Sequence, residues 1–199
     1  TDKIELIQTH ISLVFLTKNY VYKVKKSVNF GFLDFSTLQK RRFFCEKELE
    51  LNRRLCPEIY LKVVPINKDG NIKINGAGEI VEYALKMKRL PQNRIMTILL
   101  HEGKVGNETV DAIAKIVAQF HGQAQTNNEI NEFGSLKIVK INWDENFAQT
   151  KKYINQTITQ TDFDFIQNKI NGFMGKNKAL FEQRILDKRV RDCHGDLHS

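Results

Sequence analysis

The sequence predicts an α+β fold in two lobes, and three observations predict it. Residues 1–87 carry period-two strand patterns interrupted by a single helical pattern, the chain beyond Pro91 turns to helical spacing, and the two halves meet at a short connector, Lys88-Arg89-Leu90-Pro91. The expected organisation is therefore an antiparallel sheet with one helix over 1–87, a hinge over 88–91 and a mainly helical lobe over 92–199.

The strands come first. Ile11–Leu16 and Tyr20–Lys25 are rich in β-branched and aromatic residues, and Lys18-Asn19 between them predicts a tight hairpin in which Asn19 takes a positive φ. Leu61–Ile66, Ile72–Ile74 and Glu79–Met87 come next, separated by Lys68-Asp69-Gly70-Asn71 and Gly76-Ala77-Gly78. The last strand alternates, with Val81, Tyr83, Leu85 and Met87 on one face. The interposed helix is expected to start at Ser36, with Gln39 as its capping-box partner, and to run to about Leu55, before Pro57. Further on, Val110, Ile113, Ala114, Val117, Phe120, His121 and Ala124 form a stripe at helical spacing, with His121 expected in the core. Helices are also predicted over Asn142–Thr150, Asp162–Met174 and Asn177–Asp187, with Asn127–Glu132 as a connecting loop. Phe30, Phe32 and Phe35 are expected to pack against the first lobe, and Trp143 to pack in the second.

Composition sets outer limits. The chain has 199 residues, 41% hydrophobic, and no run approaches the roughly 20 apolar residues of a membrane span. Its 31 Lys+Arg against 23 Asp+Glu give +8, which favours anionic partners. Cys45, Cys56 and Cys193 form no regular spacing, so a secreted disulfide framework is not expected and a reducing, cytoplasmic setting is. The start, Thr1-Asp2-Lys3-Ile4, has no initiator Met, basic n-region or apolar h-region, so further chain is expected upstream.

On a helical wheel of residues 36–55, Leu38, Phe44, Cys45, Leu49, Leu51 and Leu55 share an arc, with Glu46 and Glu50 opposite as a solvated, ion-paired face. Glu48 falls inside the apolar arc. A carboxylate there costs several kcal/mol unless a cation meets it, and Lys23, Lys25 and Lys26 of the neighbouring strand are the candidates. Lys23, at mid-strand, is the favoured one.

The segment Arg191-Asp192-Cys193-His194-Gly195-Asp196-Leu197-His198-Ser199 sets a carboxylate between two histidines. Cys193, His194 and His198 are zinc-ligand types, but no second cluster of ligand spacing accompanies them. Ser199 has no nucleophile-elbow motif around it. Phosphoryl transfer uses these parts better: an HxD loop whose Asp receives the acceptor hydroxyl's proton, together with a strand Lys paired to a helix Glu.

Here the chain resembles a known group. His194-Gly195-Asp196-Leu197-His198-Ser199 is similar to the catalytic loop of aminoglycoside phosphotransferases and related small-molecule kinases of protein-kinase-like fold. Val21-Tyr22-Lys23 resembles their third-strand lysine, Glu48–Leu55 the helix that begins at the ion-pair Glu, and Glu82–Pro91 the hinge strand. Thr9-His10-Ile11-Ser12, Lys23–Ser36 and Asn142–Phe147 resemble a bacterial branch often fused ahead of a P-loop ATPase domain.

The resemblance implies a phosphotransferase moving the γ-phosphoryl of ATP or GTP, with Mg²⁺, to a hydroxyl of a small molecule. Asp196 would be the base and His194 the brace of its loop. Lys23 would contact the phosphates, with Glu48 orienting it, and hinge backbone at Met87, Lys88 and Arg89 would take adenine. The loop of Thr9, His10 and Ser12 would cover the phosphates, hydroxyls replacing glycine backbone. The metal ligands would lie past Ser199, so none is expected in this chain, which reads as cut at both ends and inactive alone. A catalytically dead, nucleotide-binding or regulatory domain is the alternative. A basic nucleic-acid module is a second, motivated by Lys40-Arg41-Arg42 and Arg53-Arg54; but Arg41 falls toward the apolar arc and no nucleic-acid motif is present, so neither nucleic acid nor membrane is expected as a partner.

Overall fold

The computed structural model describes residues 4–197. The chain is mixed α+β and divides into two compact units, one running to Gly106 and the other Asn107–Leu197. That division falls fifteen residues beyond Pro91, so the stretch after the expected hinge groups with the sheet.

The first unit is a curled, six-stranded antiparallel sheet in the order β1-β2-β3-β6-β4-β5. Its strands are β1 (Glu5–Gln8), β2 (Ser12–Leu16), β3 (Tyr20–Lys25), β4 (Tyr60–Asp69), β5 (Asn71–Ile74) and β6 (Glu79–Lys88). All five expected strand patterns, β2 to β6, lie where they were expected. β1 is additional: every residue in it is exposed, so no apolar alternation marks it in the sequence. The β2–β3 turn closes through Thr17, whose N–H and hydroxyl both donate to the Tyr20 carbonyl. Asn19 does not take a positive φ; among the described non-glycine residues Asn75, Asn155 and Lys188 do. Left-handed geometry is needed instead in the β5–β6 connection, where Gly78 has φ 91° and a Cβ there would meet the Lys68 carbonyl at 2.3 Å.

β6 is central and buried on both faces, Ala84 and Leu85 being fully covered. Ala84, with Val24 and Val64, forms a cluster joined by Leu13, Phe15, Tyr22 and Ile66. Leu85 pairs in register with Lys23 and Val63, so it stands on the opposite face.

That opposite face is covered by α1 (Leu38–Arg53). The helix is capped by Thr37, whose side chain accepts from the Lys40 N–H, one residue later than the expected cap at Ser36. Ser36 is taken elsewhere: its N–H donates to Asp34 and its carbonyl accepts from Ser27 and Arg41. Gln39 therefore does not stand at the capping-box position. Leu51 is exposed rather than packed, because the buried face runs through Arg41 and Cys45 with Glu48 beside them. Phe35 is buried against Phe44, whereas Phe30 and Phe32 stack on each other in the loop and Phe32 is 90% exposed.

Beyond the sheet, α2 (Met96–His101) closes the first unit. The second holds α3 (Asn107–Gln123), α4 (Asn128–Phe133), α5 (Leu136–Thr150), α6 (Gln160–Lys176) and α7 (Lys178–Leu186). The stretch expected as a loop at 127–132 is instead the short α4, because Asn127 caps it, accepting from the Ile130 N–H. α5 also begins six residues before its expected start, capped by Ser135. The α3 stripe is covered at its C-terminal end, around Ala124, while Val110 and Ile113 are exposed; His121 is exposed too and so is no core histidine. Trp143 sits 5.8 Å from Phe147, which is buried against Phe163. Among the described residues no helix is long and apolar enough to cross a membrane.

Leu85→Ala should cost the sheet unit about 3 kcal/mol, the usual penalty for emptying a filled core site. Buried Cys45 in α1 reports that unit and Trp143, the single tryptophan, reports the helical one. In urea, native-state protection of Cys45 should be lost at lower denaturant in the variant than in the wild type.

Candidate functional site

The geometry begins with period-two spacing. Lys23 and Lys25 project from the same face of β3, toward α1, and Glu48 projects back from the helix. Lys23 Nζ donates to Glu48 Oε1 at 2.8 Å and Lys25 Nζ to Oε2 at 2.7 Å. The Glu48 side chain is 17% exposed, Lys25 6% and Lys23 30%. Lys26, the third candidate, turns away to the Thr9 carbonyl. Burial pushes the Glu48 carboxyl up, but the charges and hydrogen bonds of Lys23 and Lys25 outweigh it and hold it below its ordinary value. One turn earlier, burial raises the Cys45 thiol to about 11, so that group stays neutral.

A second buried ion pair fixes the same helix. Arg41 Nε donates to both Glu82 oxygens, at 3.0 and 2.8 Å, and its Nη1 reaches the Phe35 carbonyl at 3.0 Å. The position of Arg41 on the apolar arc is thus that of an arginine whose acceptor lies on β6. Glu82 was not singled out as a partner; it lies between Val81 and Tyr83 in the middle of the strand, and that placement was the available signal.

Thr9, His10 and Ser12 form the β1–β2 turn. The Thr9 hydroxyl accepts from the Ser12 N–H at 2.9 Å and the Thr9 N–H donates to the Ser12 carbonyl, so this hydroxyl is engaged in its own turn. Ser12 is fully buried and its Oγ has no hydrogen-bond partner among the described residues; His10 is exposed. At the end of β6, Met87 pairs with Val21 and Tyr60. The Lys88 N–H donates to the Ile59 carbonyl, and the Arg89 N–H to that of Asn19. Arg89 also binds the Thr17 carbonyl and Glu5 through its guanidinium. Among the described residues the next N–H, that of Leu90, meets no acceptor.

His194 and Asp196 belong to the helical unit. The chain leading to them is anchored by three contacts. Val190 packs so closely on Gly134 that a Cβ there would meet Val190 Cγ2 at 2.3 Å. Arg191 Nη1 donates to the Gly122 and Ala124 carbonyls at 3.1 and 2.9 Å, a cation at the C-terminal end of α3. The Asp192 N–H donates to the Gln125 carbonyl. Past this anchor, Gly195 takes φ 78° and the Asp196 N–H donates to His194 Nδ1 at 3.3 Å. Both side chains are exposed. His198 and Ser199 lie outside the described residues. Sequence reasoning gave Arg191 and Gly134 no role: their partners lie 56 to 69 residues away, beyond the reach of any local pattern.

Among the described residues no three His, Cys, Asp or Glu side chains converge as a metal cage requires. No family model matches the chain, and no solved structure matches it. It is similar to uncharacterised proteins of Mycobacterium tuberculosis H37Rv and of Mycobacterium bovis, each 28% identical over 194 residues. The match covers 98% of this chain and 38% of each relative, so the chain spans well under half the length of the curated relatives it matches.

The depressed Glu48 carboxyl predicts an acid dependence of known sign. A group held below its unfolded value, 4.5 here, adds stability above that pH and loses it as the pH falls through the lower folded value. Glu48→Gln, which strands two lysines, should destabilise the sheet unit by about 3 kcal/mol at neutral pH. Urea titrations followed by Cys45 exposure should show the gap closing below pH 4.5.

Proposed function

We propose that the protein to which this chain belongs is a phosphotransferase of protein-kinase-like fold, moving the γ-phosphoryl of ATP or GTP to a hydroxyl of a small molecule. The observation that carries this reading is the Lys23–Glu48 pair at 2.8 Å between the third strand and the sheet's helix, with the lysine left 30% exposed. A purely structural pair gains nothing from an accessible cation, whereas a phosphate-binding lysine must be both oriented and reachable.

The remaining parts take consistent roles. Lys23 Nζ supplies a charge-assisted donor to phosphate oxygens. Since the Lys88 and Arg89 N–H groups are already engaged, the Leu90 N–H is the connector donor left for the edge of a purine, and Pro91 next to it has none to offer. Asp196, exposed on a loop fixed as far as Asp192, orients the acceptor hydroxyl and takes its proton, while His194 holds the loop through the Asp196 amide. Mg²⁺, when bound, would neutralise charge on the phosphates. Its ligands are not among the described residues, so the chemistry assigned to this chain is that of its lysines, its aspartate and its backbone.

The test uses the full-length protein with radiolabelled nucleotide, Mg²⁺ and a panel of small alcohols. Asp196→Asn should lower transfer by about a hundredfold or more while leaving ATP affinity unchanged. Lys23→Met should weaken ATP binding about tenfold, the worth of one hydrogen bond to a charged group. Full turnover by the Asp196 variant, or no nucleotide binding by the wild-type protein, overturns the reading. Binding without transfer to any acceptor would favour a regulatory, catalytically silent domain.

A further inference from the structure

The Glu48 carboxylate has two partners where an orienting role needs one. Lys23 takes Oε1 and Lys25 takes Oε2, and the two ammonium groups differ in every other respect. Lys25 is 6% exposed and its Nζ also lies 4.7 Å from the centroid of Phe35, a ring that is itself 2% exposed. It is boxed in by the helix, the ring and its register partner Ser12, which is fully buried. Lys23, two residues earlier, is 30% exposed and lacks any such second contact among the described residues.

Charge arithmetic gives this asymmetry a consequence. Two lysines and one glutamate sum to +1. The other groups packed around them add nothing: Cys45 remains a thiol, and Glu82 is neutralised by Arg41. If Lys23 were the sole partner of Glu48, drawing it toward an anion would leave a largely buried carboxylate uncompensated, and that penalty would be taken from the binding of the anion. With Lys25 fixed on the other oxygen, Glu48 stays compensated when Lys23 moves.

We propose that Lys25 is a positioning residue: it holds Glu48 permanently, so that Lys23 can leave the carboxylate for a nucleotide phosphate, and it keeps the site cationic. This rests on the nucleotide-binding reading of the site. Lys25 itself does not touch the phosphate. Its neutral replacement turns the triad into an ordinary closed ion pair, with Lys23 clamped on Glu48.

The experiment uses the full-length protein and two readouts, one without nucleotide. The first is the rate at which Lys23 is acetylated by acetic anhydride in the native protein, followed by mass spectrometry. The second is ATP affinity by calorimetry. Lys25→Met should slow Lys23 acetylation and weaken ATP binding by about tenfold or more, the effect of one unit charge across a partly screened site. Lys25→Gln, which can still donate to Oε2 but is uncharged, should do the same if the methionine variant folds poorly, and Lys25→Arg should restore both readouts. In a Lys23→Met background, Lys25→Gln should add a smaller loss of affinity than it causes alone, since the positioning part of its effect passes through Lys23. Unchanged acetylation and affinity in folded Lys25 variants, or equal losses with and without Lys23, would make Lys25 merely structural. Slower Lys23 acetylation in the Lys25 variants, with no ATP binding by the wild-type protein, would refute the nucleotide reading but leave the division of labour between the lysines standing.

Discussion

Glu48 is the residue around which the sheet unit is arranged. A carboxylate pointing from a helix into a sheet is tolerated only with strong cationic partners, and supplying them dictates where the helix can lie. With Lys23 and Lys25 on one oxygen each, α1 cannot slide along β3 by a residue or rotate by a few tens of degrees without stranding a charge. Arg41, forked onto Glu82 of β6, sets the same constraint near the helix's N-terminal end. The two contacts lie two turns apart, and between them Cys45 fills the apolar gap. Dispersion and burial supply the attraction; the ion pairs select one docking geometry.

The helical unit solves a comparable problem with backbone carbonyls. The carbonyls at the end of α3 need donors, and Arg191 supplies them from a segment that returns 67 to 69 residues later. The absence of a Cβ at Gly134 lets Val190 sit against that turn, and the Asp192 amide adds a third tie. Beyond these ties, residues 194–197 are all exposed, and Asp196 is among them. A side chain meant to meet a solvent-borne partner needs this combination: a backbone held rigidly up to a defined point and an open tip beyond it.

Much of the sheet was legible because its patterns are local. β2, β3, β4 and β6 are dense in β-branched and aromatic residues, and a glutamate among leucines announces that it has a partner. β1 was not legible, since both its faces are exposed and no alternation marks it. The face of α1 was placed correctly except at one residue, Leu51. The aliphatic arc includes Leu51, but the helix turns so that Arg41, Cys45 and Glu48 point inward and Leu51 does not. Counting apolar residues on the wheel overlooks that a fully satisfied ion pair competes with a leucine for the inward direction. Asn127 shows the opposite failure. A run of Asn and Glu reads as loop by composition, yet a single side-chain cap was enough to start the short α4. The second lysine on Glu48 was within reach, because Lys25 shares a strand face with Lys23 by simple alternation.

That second lysine also separates a built site from ordinary charge lacing. The other cations of α1 meet their partners singly: Lys40 pairs with Asp34, Arg41 with Glu82, Arg42 with Glu46 and Lys47 with Glu50, while Arg53 is spent on the carbonyls of Tyr60 and Leu61. Each of those carboxylate pairs is neutral and adds nothing to the field beyond a few ångströms. Glu48 is met twice, in a largely buried place, so the excess charge there is less screened than a surface charge would be. Two lysines fix the helix and leave one positive charge over, which is the charge that the proposed binding of a phosphate would use.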